Sequence, residues 1–140
     1  MIRKDERRLR VGVLGCGPIA QFAHFESCVK ARNAELYAIC DVADDLRARM
    51  AATYEPAYSF ADYDAMLADP LVEAVIVATS DTLHVAAATR ALAAGKHVLC
   101  EKPPGVSVED VQGLAAAVAC SGRMLQVGHM KRFDPGIEAA

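Results

Sequence analysis

The sequence predicts an α/β fold built on a doubly wound parallel sheet, and three observations carry that expectation. Short apolar runs at residues 11–14, 34–41, 72–79, 97–100 and 124–129 alternate with stretches of helical character along the chain. The run at 72–79 is apolar almost without interruption, the pattern of a strand covered on both faces. Finally, 140 residues that are 54% hydrophobic and 24% charged suit one globular core, which buries about two thirds of the unfolded surface.

The elements follow in order. Residues 1–10 hold five basic side chains against Asp5 and Glu6 and read as a solvated tail. A buried strand starts at Val11 and runs into Gly15-Cys16-Gly17-Pro18-Ile19-Ala20. The small residues Gly15, Gly17 and Ala20 fit G-x-G-x-x-G/A, in which the first permits a tight turn, the second lets backbone approach a pyrophosphate, and the third lets a helix pack near the strand. Amide groups at the start of that helix then face an anion. A glycine-rich strand-to-helix turn without a ligand fits the same residues. A helix is expected over residues 18–31, with Pro18 in its first turn where a missing amide hydrogen matters least. The strand at 34–41 ends in Asp41, 21 residues beyond Ala20, close to where this fold places a carboxylate for the ribose hydroxyls. Asp41 also has the alternative role of capping the next helix; Asp44 and Asp45 stand nearer that helix and are expected to cap it, which leaves Asp41 free.

Residues 54–60 read as a loop or a very short edge strand, and a brief helix at 62–67 stops at Asp69-Pro70. After the strand at 72–79 come Ser80, Asp81 and His84 and an alanine-rich helix closed by Gly95. Strand 97–100 leads into Glu101-Lys102-Pro103-Pro104, helix 108–120 ends near Gly122, and a last strand covers 124–129. Residues 131–140 look like the opening of one more helix, without a charged last turn. No repeat, low-complexity tract or internal linker precedes Met130.

Composition narrows the function classes. Outside the first ten residues ten basic side chains face sixteen acidic ones, which argues against a nucleic-acid surface. No apolar run approaches the ~20 residues of a membrane span, and the start lacks the apolar core of a secretory signal. A cytoplasmic protein is expected. The five cysteines are odd in number and never spaced Cys-x-x-Cys, arguing against a disulfide framework and a zinc site; no metal site is expected. They read as small buried hydrophobes. Cys16 has a second possible role, since a helix N-terminus can lower a thiol pKa.

Taken together, Gly15-x-Gly17-x-x-Ala20, Asp41, Ala78-Thr79, His84, Ala94-Gly95-Lys96-His97-Val98, Glu101-Lys102-Pro103 and Arg132-Phe133-Asp134-Pro135 resemble the amino-terminal half of the glucose-fructose oxidoreductase / inositol dehydrogenase / MocA family. The resemblance covers essentially the whole chain from Val11. It implies an NAD- or NADP-dependent oxidoreductase acting on sugars, cyclitols or similar polyols. Lys102 matches the family's catalytic lysine beside the nicotinamide, where an ammonium donates to the substrate oxygen or helps it lose a proton. Gly15, Gly17, Pro18, Ile19, Ala20, Asp41, Thr79, Ser80, His84 and Glu101 fall at cofactor-binding positions. Asp41 favours NAD over NADP. The resemblance also implies that the Lys102–Pro103 bond is often cis, that His84 helps form the cofactor cleft, and that His129 and Arg132-Phe133 lie toward the substrate. Ser80 and Asp81 depart from the family's proline and asparagine, and capping is an equal role for them. From physical chemistry alone, Glu101-Lys102 also reads as a surface ion pair beside a proline turn.

The organisation expected is therefore a tail at 1–10, a dinucleotide-binding domain at 11–130, and at 131–140 the start of a connection to a substrate domain that this chain lacks. The intact protein would be an NAD(P)-dependent dehydrogenase and a homo-oligomer, and this chain alone would bind cofactor without efficient turnover. A noncatalytic NAD-sensing module and a methyl-donor enzyme are the competing readings; Lys102 argues against the first.

Overall fold

The computed structural model describes residues 7–139. Six strands, β1 (Leu9–Leu14), β2 (Ala34–Cys40), β3 (Tyr58–Phe60), β4 (Ala74–Val77), β5 (His97–Cys100) and β6 (Leu125–Val127), form one sheet in the order β3-β2-β1-β4-β5-β6. Every neighbouring pair is parallel. Parallel strands need crossovers. These contain a π turn (Ala20–His24) that continues into α1 (Phe25–Lys30), and helices α2 (Asp44–Tyr54), α3 (Tyr63–Ala68), α4 (His84–Ala93) and α5 (Val108–Ser121). A short α6 (Pro135–Glu138) follows β6.

Two apolar clusters lie on opposite faces of the sheet. One joins Val11, Val13 and Ile39 to Phe25 and Cys28 of α1, with Leu46 and Met50 of α2 against it. The other joins Val75 and Val77 to Met66 of α3, Ala88 and Leu92 of α4 and Leu114 of α5. Ile76 belongs to the first cluster and its two neighbours to the second. Alternate side chains of a strand point to opposite faces, so a strand covered twice must be apolar throughout, as β4 is.

The boundaries refine the sequence expectation. β1 begins at Leu9, two residues inside the stretch read as tail, and Arg8 donates to the Ala34 carbonyl while Arg7 pairs with Glu73. Residues 7–10 are thus docked at the amino end of the central strands; residues 1–6 lie outside the described residues. The possible edge strand forms as β3, in register with Ala38–Cys40 of β2. β6 is three residues long because β5 offers partners only as far as Cys100. Helix α5 starts at a capping box, Ser107 with Asp110, and ends at Gly122 with φ 63°. Four cysteines are buried, but Cys120 on α5 is exposed, so the reading of all five as buried does not hold for it.

Candidate dinucleotide site

The strand order reverses between β1 and β4. Open α/β sheets bind ligands beyond the carboxyl ends of the strands at such a switch point. Gly15 leaves β1 at φ 94°, a region closed to most side chains, and a Cβ there would lie 2.5 Å from the Ala78 carbonyl oxygen. The turn is thereby pressed against the end of β4, with Gly15 N–H donating to the Cys40 carbonyl and Ala78 N–H to the Leu14 carbonyl. Over Gly17 there is open space, with nothing within 4 Å of a notional Cβ. Ala20 is fully buried. A cavity of about 380 Å³ runs over this loop, lined by Gly15, Gly17, Pro18, Ile19, Asp41 and Thr79, with Ser80 on its wall.

Asp41 is tied into the loop instead of standing free. Its Oδ2 accepts from Cys16 N–H and its Oδ1 from Ala43 N–H, both at 2.8 Å. The expectation that Asp44 or Asp45 would cap α2 fails, because both lie inside the helix and Ala43, at the cap position, has no polar side chain to cap it. A carboxylate has about four acceptor positions, so Asp41 keeps capacity for ribose hydroxyls. Arg47 donates to the Asp41 carbonyl and to Asp44 Oδ1, each at 2.6 Å. Cys16 is buried, and burial first and the Asp41 charge second push its thiol up to about 12. The alternative of a helix-activated Cys16 thiolate is therefore overturned.

Beyond Asp41 the crevice opens into an apolar cavity of about 290 Å³. Leu14, Cys40, Tyr63, Leu83, Ala87 and Arg90 contribute to its walls. The Tyr63 hydroxyl donates to the Ala87 carbonyl at 2.9 Å, and the Arg90 guanidinium lies 5.0 Å from the ring centre. None of these residues carries a local motif.

At the other end, Glu101 and Lys102 follow β5 with opposite exposures. Lys102 is exposed at the mouth of a cavity of about 520 Å³ that also involves Ile19, Gly128, His129 and Arg132. Phe133 does not line it. Glu101 turns inward, and its Oε1 lies 2.8 Å from Nε2 of His24 with both side chains nearly buried. The Glu101 pair is thus internal, with a histidine, and not a surface pair with Lys102. The Lys102–Pro103 bond is cis.

His84 is 1% exposed. Its Nδ1 is 2.7 Å from the Pro103 carbonyl oxygen and its Nε2 is 3.1 Å from that of Thr79. The ring is closed off from the cleft and acts on it by joining the end of β4 to the Lys102–Pro103 turn. Ser80 sits at the cap position of the turn Asp81–Leu83 but makes no side-chain cap bond. Among the described residues no group of three or more His, Cys, Asp or Glu side chains is arranged for a metal ion, and no helix is long and apolar enough to cross a membrane.

Residues 9–129 match the model of an oxidoreductase family with an NAD-binding Rossmann fold, the Gfo/Idh/MocA family. The chain belongs to that family. An inositol 2-dehydrogenase/D-chiro-inositol 3-dehydrogenase of Shouchella clausii is 38% identical over 130 residues, 91% of this chain and 38% of that one. An uncharacterized oxidoreductase of Rhizobium meliloti is 41% identical over 128 residues, again 91% of this chain and 38% of the relative. Among solved structures, the scyllo-inositol dehydrogenase of Lactobacillus casei with bound NAD(H) and scyllo-inositol aligns with TM-score 0.86 at 27% identity, covering 92% of this chain and 38% of that one. KijD10, a 3-ketoreductase of Actinomadura kijaniata in complex with TDP-benzene and NADP, aligns with TM-score 0.90 at 30% identity over 95% of this chain and 42% of its own. The chain thus spans about two fifths of the length of these Gfo/Idh/MocA proteins.

Proposed function

We propose that this chain is the cofactor-binding part of an NAD-dependent dehydrogenase whose substrate is a sugar, cyclitol or similar polyol. The observation that carries the reading is the crevice at the β1/β4 reversal, which has the glycine loop at its centre, Asp41 toward one end and Lys102 toward the other. Open space over Gly17 fits a pyrophosphate, the apolar cavity bounded by Tyr63 and Arg90 fits an adenine, and the spare acceptor capacity of Asp41 fits the adenosine ribose. Among the residues expected from the sequence, Gly15, Gly17, Pro18, Ile19, Thr79 and Ser80 line the pyrophosphate stretch. Ala20 supports it by packing, His84 through two carbonyls, and Glu101 through its side wall.

NAD is favoured over NADP because a 2'-phosphate beside Asp41 meets a like charge. Arg47, the nearby cation, is engaged by the Asp41 carbonyl and Asp44. The nicotinamide supplies hydride transfer when the dinucleotide is bound. Lys102 is the catalytic residue, holding a proton on Nζ against the substrate oxygen and exchanging it as that oxygen changes between hydroxyl and carbonyl. Lys102 is exposed, in keeping with a group that meets substrate from outside this chain. The inositol dehydrogenases among the relatives support the polyol class. Alone, the chain is expected to bind cofactor and turn over polyols poorly, and the longer protein to be a cytoplasmic homo-oligomer.

Calorimetric titration of the chain with NAD, NADP and S-adenosylmethionine tests the reading. NAD is expected to bind tightest. Tighter binding of NADP removes the role given to Asp41, and binding of the methyl donor alone removes the reading altogether. In a longer protein carrying this domain, Lys102→Met should abolish turnover and retain NAD binding, whereas an NAD sensor would keep its full response.

A further inference from the structure

We propose that His24 is a positioning residue for the nicotinamide end of the site, acting through Glu101 on the backbone that carries Lys102. The inference rests on the dinucleotide reading above and extends it to a residue with no assigned part.

His24 closes the π turn that follows the glycine loop, where Phe25 N–H donates to the Ala20 carbonyl five residues back. Such turns are rare and occur mostly as single-turn insertions in helices, frequently at functional sites. Here the widened turn turns the His24 ring inward to 8% exposure, beside the fully buried Ala20 and Phe25. Its Nε2 meets Glu101 Oε1 at 2.8 Å, across 77 residues of sequence. An ionised carboxylate only accepts, so the proton of a neutral ring belongs on Nε2.

The far side of Glu101 faces the reactive lysine's backbone. Glu101 Oε2 accepts from Lys102 N–H at 3.3 Å, and Glu101 N–H donates to the Val77 carbonyl at 3.0 Å. On a third side the carboxylate lies against Gly128, where a Cβ would be 3.2 Å from Oε1. Only a residue without a side chain admits it without displacement. The carboxylate therefore joins three connections that follow β1, β5 and β6, and it lies in the wall of the cavity on which Lys102 opens. A buried charged acceptor that loses its donor is left under-satisfied and reorients toward water. For Glu101 that movement would release the Lys102 amide and collapse the wall beside the nicotinamide.

The test compares NAD with ADP-ribose, which lacks the nicotinamide, by calorimetry on this chain. His24→Leu removes the donor, His24→Gln keeps an N–H at similar reach, and Glu101→Gln keeps the shape without the charge. The expected result is that His24→Leu weakens NAD about tenfold and leaves ADP-ribose within about twofold. A tenfold change in affinity corresponds to about 1.4 kcal/mol. His24→Gln restores most of the difference, and Glu101→Gln, which tests the same wall if His24→Leu fails to fold, lowers the NAD to ADP-ribose ratio likewise. An equal loss for both ligands makes His24 a fold residue only and overturns the proposal, as does a ratio unchanged by either substitution. Failure of the unsubstituted chain to bind either ligand refutes the dinucleotide reading itself, a result distinct from both.

Discussion

Replacing Gly15 by alanine adds a Cβ 2.5 Å from the Ala78 carbonyl oxygen and 2.9 Å from its carbon, at a φ of 94°. Both neighbours are backbone atoms of the residue just past β4, so no rotamer change can make room. A non-glycine residue in a sparsely populated backbone region costs about 1–3 kcal/mol, and forcing an extra methyl into a packed position costs about 1–3 kcal/mol. Their sum, roughly 2–6 kcal/mol, is a large fraction of the ~5–15 kcal/mol by which a domain is stable. Gly17→Ala is the internal control. Nothing lies within 4 Å of its added Cβ, and its φ is not positive. Stability should stay within about 0.5 kcal/mol or rise slightly, because alanine restricts the unfolded chain. The same methyl, however, fills the open space assigned to the pyrophosphate, so NAD affinity should fall at least about tenfold. Urea denaturation followed by circular dichroism reads the first effect and calorimetric titration the second. A Gly15→Ala chain as stable as the original would refute the close-packed turn, and a Gly17→Ala chain that binds NAD undiminished would refute the placement of the pyrophosphate.

Asp41→Ala removes the acceptor of both Cys16 N–H and Ala43 N–H. A loss of about 1–3 kcal/mol in stability is expected, and NADP should not reach the affinity the original chain has for NAD, because the loop is loosened; a gain to that level in titrations would show that Asp41 only selects cofactor. Lys102→Met, at an exposed side chain, should shift the melting midpoint negligibly, and a large drop in a thermal melt would assign Lys102 to the fold. Burial pushes the thiols of Cys28, Cys40 and Cys100 up from 9.0 to about 11, and that of Cys16 to about 12. Raised folded-state values mean that their stabilisation is complete below pH 9 and is lost as pH rises through about 11 to 12. Lys96, lowered by burial, acts in the opposite sense as pH climbs toward its usual 10.5, but four thiols outweigh one amine. The melting midpoint should fall between about pH 9 and pH 11, and a flat profile would contradict the burial. At neutral pH a thiol reagent should label Cys120 quickly and the four buried cysteines only on unfolding; rapid labelling of Cys16, followed by mass spectrometry of peptides, would contradict its closed environment.

Much of this protein was legible in chain order. The alternation of apolar runs with helices specified parallel strands and crossovers, because a parallel pair cannot close through a tight turn. Gly15, Gly17 and Ala20 were readable because their job is local, a turn between a strand and the next helix. Asp41 directly follows β2 and is legible from its place in the chain, whereas Lys102 stands two residues past β5 and is singled out by the resemblance of Glu101-Lys102-Pro103 to a family motif; in a parallel sheet such positions gather at one end. Tertiary structure decided what lies across that end. Nothing near His24 in sequence points to Glu101, which is 77 residues away. Nothing near Asp41 shows that its carboxylate holds Cys16 N–H, 25 residues back. Tyr63 and Arg90 line the cleft with no motif at all, since shape depends on which helices pack beside the strand ends. His84 illustrates the division: its position was readable, but its burial between the carbonyls of Thr79 and Pro103 follows from the packing of α4 under the Lys102–Pro103 turn. Sequence alone determined the sheet, the glycine turn and the strand-end residues, whose signals are carried by neighbours in the chain. Only the folded structure decided which side chains meet across the crevice, because those meetings depend on the register and packing of segments far apart in sequence.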